Sequence, residues 1–125
     1  MSVENELTAE LHSRRFTDFD RRRIHRAQSQ IYEHEITAYL VNSQIVGSSL
    51  VGVVFGHINK GPHGRYADGH FIRTSSLTEL TKVGRFWVAT TLNSRYVIAS
   101  FRKENGRAVL LELLKNRKAN AGFIH

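Results

Sequence analysis

The sequence lacks several features that would point directly to a compartment or a site. It has no cysteine, so disulfide bonds and thiolate metal sites, including zinc fingers, are excluded. It has no apolar stretch of 18 residues and no basic N-terminal segment followed by an apolar run, so neither a membrane span nor a signal peptide is predicted. We therefore expect a cytoplasmic protein without a membrane partner.

Common catalytic motifs are also missing. The glycines do not match the spacing of a P-loop, a dinucleotide-binding fingerprint or a G-x-S-x-G nucleophile elbow. Asp and Glu number eleven, and seven of them cluster at positions 4–10, 18–20 and 33–35, on predicted helical surface, so a two-carboxylate hydrolytic site is not expected. These absences remove most metabolic chemistries, and no cofactor is expected.

Positive charge is what the chain has in excess. Eighteen Lys and Arg residues outnumber the acidic residues by seven, and thirteen of the eighteen are Arg. The guanidinium group suits bidentate phosphate recognition and stacking on bases. A pI near 10.3 is typical of nucleic-acid-binding domains. The composition therefore favours a polyanionic partner, and the alternative is a charge that serves solubility alone.

Length and apolar content predict one folded domain. A chain of 125 residues, 41% of them hydrophobic, has the size and composition of a single globular unit. We expect that unit to span residues 1–125. It divides into a helical part at 1–34, a β-rich part at 35–104, and a C-terminal helix with a tail at 105–125.

The helical part contains a start signal. Thr17 followed three residues later by Asp20 predicts a capping box, and Ile24 and Ile31 keep helical spacing beyond it. The predicted helices are about 3–14 and 18–34.

The β-rich part shows the alternation that is typical of strands. Tight turns are predicted at 42–44 and 93–94, and a long loop rich in glycine and histidine at 56–70. The predicted strands are 36–41, 45–55, 70–74, 85–92 and 95–102.

The C-terminal part predicts a short helix and a basic tail. Asn105 is a candidate cap, and Val109, Leu110, Leu113 and Leu114 form one apolar stripe. The fold class is therefore α+β, with N-terminal helices and a short C-terminal helix packed on a mainly antiparallel sheet or small barrel of about five strands.

An arginine-rich segment at positions 14–26 is the sharpest local feature. Its six arginines, interrupted by two aspartates, carry a net charge of +4, and helical spacing separates Arg22 and Arg26 from the apolar side. This pattern predicts phosphate contacts, which position a nucleic acid without reading its sequence. The alternative is a solvated helix face that pairs with Glu33, Glu35 or other acidic neighbours.

Cations and aromatic residues also alternate in the predicted strands. This pattern is typical of single-stranded nucleic-acid binders, although the two-residue period of a strand places some of these rings in the core. The residues concerned are Arg73, Arg85, Arg95 and Arg102 with Phe71, Phe86, Trp87, Tyr96 and Phe101.

The glycine- and histidine-rich loop contains the candidate catalytic residues His57, His63, His70 and Arg65. Histidines that titrate near neutrality beside an arginine suit metal-free RNA cleavage. Their separations of six and seven residues are wider than the usual zinc spacing, so no metal is expected. The alternative is a basic loop, including Lys60, that touches a phosphate backbone.

Residues 52–98 resemble a pattern in small accessory proteins of phages and plasmids, in which G-x-V precedes D-G-x-x-I-x-T-S and V-x-T-x-x-N-S-x-Y. The resemblance implies a compact β unit and a mobile-element origin, and it carries over no catalytic residue. The matching positions are Asp68, Gly69, Ile72, Thr74 and Ser75, then Val88, Thr90, Asn93, Ser94 and Tyr96.

Together these patterns predict a small basic protein that binds nucleic acid or a nucleic-acid-handling host complex, as a phage or plasmid accessory or inhibitor protein would. DNA and RNA are both candidates. Two alternatives stay open: a metal-independent ribonuclease that uses the loop histidines, and a module that binds an acidic protein or its own copies. The predicted nucleic-acid-binding residues are Arg14, Arg15, Arg21, Arg22, Arg23, Arg26, Lys60, Arg65 and Arg73.

Overall fold

The computed structural model describes residues 16–59, 64 and 66–124, with side chains as far as residue 116 in the last helix. The predicted helix at 3–14 lies outside the described residues. So do five of the predicted site residues: Arg14, Arg15, Lys60, His63 and Arg65.

Helix α1 spans Asp18–Ser29 and begins at the predicted capping box. The Thr17 hydroxyl accepts from the Asp20 amide at 3.0 Å, and the Asp20 carboxylate accepts from the Thr17 amide at 3.3 Å. The helix ends before the predicted end at 34. The Tyr32 hydroxyl donates to the Ala27 carbonyl at 2.7 Å, and Ile31 is 87% exposed instead of continuing the apolar face.

Six strands form one open sheet. They are β1 (Ala38–Val46), β2 (Ser49–Phe55), β3 (Phe71–Arg73), β4 (Glu79–Val83), β5 (Phe86–Thr90) and β6 (Arg95–Ile98). The order in the sheet is β3-β2-β1-β6-β5-β4. Two antiparallel meanders therefore lie side by side, and they meet where β1 and β6 pair in parallel, with Leu40 opposite Ile98.

Strand β4 is the strand that the sequence pattern missed. It is an edge strand that pairs only with β5, and none of its five residues is buried. Because neither face of β4 is buried, its sequence does not show the alternation of apolar and polar residues by which strands are recognised. The sheet accordingly has six strands instead of about five, and it is not closed into a barrel.

The turn predicted at 42–44 is wrong. Residues 42 and 43 form a bulge within β1, where the pairing with β2 slips between Val41 and Gln44 and Asn42 has a φ of 52°. The Ser43 amide donates to the Ser100 carbonyl at 3.1 Å, so these polar residues bond across to the chain beyond β6. The real turn follows at Gly47, whose φ of 62° suits glycine.

Helices cover both faces of the sheet. Ile24 and Ala27 of α1 pack with Val41, Val53 and Val97 on one face. Helix α2 (Gly106–Ile124) packs on the other face through Leu110, Leu113 and Leu114. It is longer than the predicted short helix and continues through the segment predicted as a tail. The α+β class is confirmed.

No helix within the described residues combines the length and hydropathy that crossing a bilayer requires.

Candidate nucleic-acid interface

A groove of about 1190 Å³ opens between the first half of α1, the uncovered part of the sheet at β2 and β3, and the connection from β6 to α2. We call it the basic groove. Four cations and two carboxylates line it, together with two exposed phenylalanines. The charged residues are Arg23, Arg102, Lys103 and Arg107, with Asp20 and Glu104; the phenylalanines are Phe19 and Phe71.

Arg23 is held in place by a hydrogen bond and by an aromatic ring beneath its guanidinium group. Its Nε donates to the Ala99 carbonyl at 2.8 Å, and its guanidinium carbon lies 4.7 Å from the centre of the Phe86 ring. Such stacking is favourable and orders the planar group. Among the described residues, its two terminal nitrogens have no hydrogen-bond partner, so they are available to a ligand in the groove.

The electrostatic surroundings of Arg23 are positive. Burial lowers its pKa from the ordinary value, and the nearby charges of Arg107, Arg26 and Arg85 lower it further. The guanidinium group stays protonated at neutral pH because its reference pKa is so high. Four guanidinium groups therefore share one region, and an anion placed there would be stabilised by all of them.

Arg107 is positioned at the start of α2. Its guanidinium carbon lies 5.1 Å from the centre of the Phe101 ring. Gly106 lets the start of α2 approach β1 closely, because a Cβ on it would lie 2.8 Å from the Ser43 carbonyl oxygen. The first turn of α2 contains no acidic residue, so the positive end of the helix dipole adds to the charge of Arg107.

The buried carboxylate of the groove is already engaged. Asp20 is 7% exposed, and its Oδ1 accepts from the Ser100 hydroxyl at 2.7 Å. The same hydroxyl accepts from the Asn42 amide at 2.9 Å. Asp20 thus ties α1 to the end of β6 through neutral donors, and it does not form an ion pair with Arg23.

The predicted arginine segment is divided by the helix. Arg21, Arg22 and Arg26 are exposed, and Arg23 is the described member that lines the groove. Between described residues one ion pair lies within 4.0 Å, from Arg21 to Asp18 at 3.6 Å. This pair, with the exposure of the three arginines, fits the predicted alternative of a solvated helix face that pairs with acidic neighbours, although no described arginine pairs with Glu33 or Glu35.

Most of the aromatic residues in the predicted strands serve the core, whereas the arginines among them are exposed or half-buried. Phe86 and Tyr96 are buried, and Trp87 and Phe101 pack against the core as half-buried residues. Phe71 differs, since it is 60% exposed on β3. Arg73, on the same edge strand, donates to the Val46 carbonyl at 3.4 Å and does not line the groove.

His57 is packed as a core residue on the α2 side of the sheet. It is 5% exposed, stacks on Tyr66 with ring centres 4.2 Å apart, and lies 6.4 Å from Tyr96. Its Nδ1 accepts from the Asn59 amide at 3.0 Å, and burial lowers its pKa. The basic groove lies on the opposite side, which α1 covers.

The other described residues of the loop form no metal site. The Asp68 carboxylate accepts from the Gly56 amide at 2.7 Å, and the His70 carbonyl accepts from the Val54 amide at 2.8 Å. In the part of the chain that the structure describes, no group of three metal-binding side chains is present. His63 and Arg65 lie outside that part, so the ribonuclease hypothesis stays a prediction.

Three groove residues, Phe19, Lys103 and Arg107, were not selected from the sequence. A signal for two of them exists, because three cations fall within positions 102–107 beside Phe101. Phe19 stands in the acidic first turn of α1, where nothing in the pattern marks it as a surface residue.

Comparisons of this chain with protein-family models, curated proteins and solved structures give no match. The resemblance of residues 52–98 to phage and plasmid accessory proteins therefore stays a prediction.

Proposed function

We propose that this protein binds nucleic acid, with the phosphate backbone held in the basic groove. The observation that carries the proposal is the pair Arg23 and Arg107, which converge on one groove and are each ordered on an aromatic ring. Guanidinium groups that are fixed before binding lose little entropy when they bind, and they present the fork geometry that phosphate accepts.

The charge of the surrounding surface supports a long polyanion over a single small anion. Arg102 and Lys103 are exposed and line the groove, and Arg22 and Arg26 are exposed on α1. Each added phosphate contact releases counterions, so several separate exposed cations favour a polymer. A host complex that carries nucleic acid would offer the same chemistry.

A salt titration of binding tests the proposal. Fluorescence anisotropy with a labelled mixed-sequence oligonucleotide would be recorded between low and moderate salt, for the wild type and for the combined variant Arg102→Gln, Lys103→Gln and Arg107→Gln. Loss of three phosphate contacts should reduce the slope of log K against log salt by about 2 to 3. The single variant Lys103→Gln should account for about 1 of this.

Lys115→Gln is the matched control for Lys103→Gln. Lys115 is exposed on α2 and does not line the groove, so its variant removes the same charge from another surface. An equal loss of affinity in both variants would show that net charge alone attracts the polymer. Undetectable binding of DNA and RNA at low salt would refute the proposal.

A further inference from the structure

Phe71 is an aromatic ring that the fold leaves uncovered. On β3 the strand alternation buries Ile72 and turns Phe71 outward. Phe71 pairs directly with Val53 of β2, and cross-strand partners lie on the same face of a sheet. Val53 packs in the core beneath α1, so Phe71 lies on the α1 side of the sheet, beyond the part that the helix covers.

Phe19 is a second uncovered ring on the same groove. It lies in the first turn of α1 and is 54% exposed, while Asp20, the next residue, is buried against Ser100. The anchoring of Asp20 fixes the start of the helix and hence the position from which Phe19 extends. Phe19 and Phe71 are the two exposed phenylalanines of the described residues, and both line the basic groove.

We propose that the basic groove takes single-stranded nucleic acid, whose unpaired bases stack on Phe19 and Phe71 while its phosphates lie against Arg23 and Arg107. This inference rests on the proposed function and specifies its substrate class. An aromatic ring offers a base a stacking surface only when the face of that base is free, as in a single strand. In a duplex both faces of each internal base are covered by its neighbours, so the two rings would add nothing to the phosphate contacts.

Stacking on phenylalanine also predicts how selective the site is. Every base has a π face, so stacking tolerates any sequence, and the phosphate contacts carry no sequence information. We expect DNA and RNA single strands of equal length to bind with similar affinity, since both offer base faces and phosphates and the proposed contacts do not involve the 2′-hydroxyl group.

Competition between single strands and a duplex tests the inference. Anisotropy would be measured at fixed low salt with 12-nucleotide dT and rU strands, a mixed-sequence strand and a 12-base-pair duplex. We expect Phe71→Ala and Phe19→Ala each to weaken single-strand binding by about tenfold, the scale of one lost stacking contact. Duplex binding should be unchanged in both variants. Phe71→Trp, which keeps an aromatic ring at this position, should bind single strands as the wild type does.

Leu92→Ala is the control for loss of exposed apolar surface. Leu92 is 87% exposed and does not line the groove, so this variant should bind as the wild type does. Thermal melting of each variant checks the fold, which removal of an exposed ring should leave intact. In Phe71→Trp, quenching of the added tryptophan emission by single strands, and its absence with duplex, provides a direct readout of stacking.

The outcomes separate the two proposals. Salt-dependent binding of strands and duplex alike, unaffected by Phe71→Ala and Phe19→Ala, would overturn the stacking inference and leave nucleic-acid binding in place. Binding of neither form at low salt would overturn both.

Discussion

Replacing Gly52 with alanine should destabilise the protein, although alanine usually suits a strand better than glycine does. Gly52 lies in β2 opposite the bulge of β1 and is not restricted to a left-handed conformation. In open space the change to alanine would stabilise a strand by about 0.5–1 kcal/mol. Here the added Cβ would lie 2.8 Å from the Ser43 hydroxyl oxygen and 3.0 Å from the Val41 carbonyl oxygen.

The balance of these two effects sets the expected size. Forcing a methyl group into a filled site costs about 1–3 kcal/mol, so the net loss in free energy of unfolding should be about 1–2 kcal/mol. For a chain of this length that corresponds to a fall in Tm of roughly 4–8 °C. Urea denaturation followed by circular dichroism, with the slope m compared between variants, measures it.

Ser43→Ala makes the test sharper. The Ser43 hydroxyl is buried with no hydrogen-bond partner among the described residues, so removing it should leave stability unchanged or raise it by up to about 1 kcal/mol. In the double variant that combines Gly52→Ala with Ser43→Ala, the Cβ of residue 52 still meets the Val41 carbonyl oxygen, so part of the loss in stability caused by Gly52→Ala should remain. If Gly52→Ala is as stable as the wild type, the close approach inferred at the bulge is wrong.

Three further predictions concern the contacts that hold α1 and the histidine loop. Thr17→Ala removes the cap of α1 and should cost about 1 kcal/mol in urea unfolding, whereas Thr17→Ser should cost little. Ser100→Ala removes the hydrogen-bond partner of the Asp20 Oδ1 atom and of the Asn42 backbone amide and should cost about 1–3 kcal/mol; an unchanged midpoint would contradict the network. Burial lowers the pKa of His57 below its ordinary 6.5, so on acidification the unfolded chain binds a proton at this residue at a higher pH than the folded chain does. The free energy of unfolding should therefore be unaffected by His57 above pH 6.5 and should decrease as the pH falls below it. His57→Gln should flatten that part of the curve in unfolding titrations between pH 7.5 and 5, and an identical slope would exclude His57 as its source.

Local chemistry made some of the fold predictable. The capping box of Thr17 and Asp20 needs only residues three apart, and the sequence therefore located the start of α1. The buried strands β2 and β6 are rich in apolar residues and were recognised as strands for that reason. Strand β4 was missed because an exposed edge strand has no need of alternation.

The errors arose where a residue serves a distant part of the chain. Asn42 and Ser43 have the composition of a turn, yet their backbone bonds reach Ser100 and Arg102. The basic groove has the same origin, because Arg23 bonds to the distant Ala99 carbonyl, in the connection that leads from β6 to Arg107. Sequence reasoning found the excess of arginine, and the topology determines which arginines converge.

The two meanders meet where β1 and β6 pair in parallel, and this arrangement suggests a place at which the chain could be divided. A cut between β3 and β4 would yield two halves of similar design, one with α1 and three strands, the other with three strands and α2. Each core cluster draws on both halves, since the cluster of Ile24 and Ala27 includes Phe86 and Val88 of the second half, and the cluster of Leu110 includes Ile45 and Leu50 of the first. The groove is divided in the same way, with Arg23 and Phe71 on one fragment and Arg107 on the other. The basic groove would therefore be complete only where both fragments are assembled.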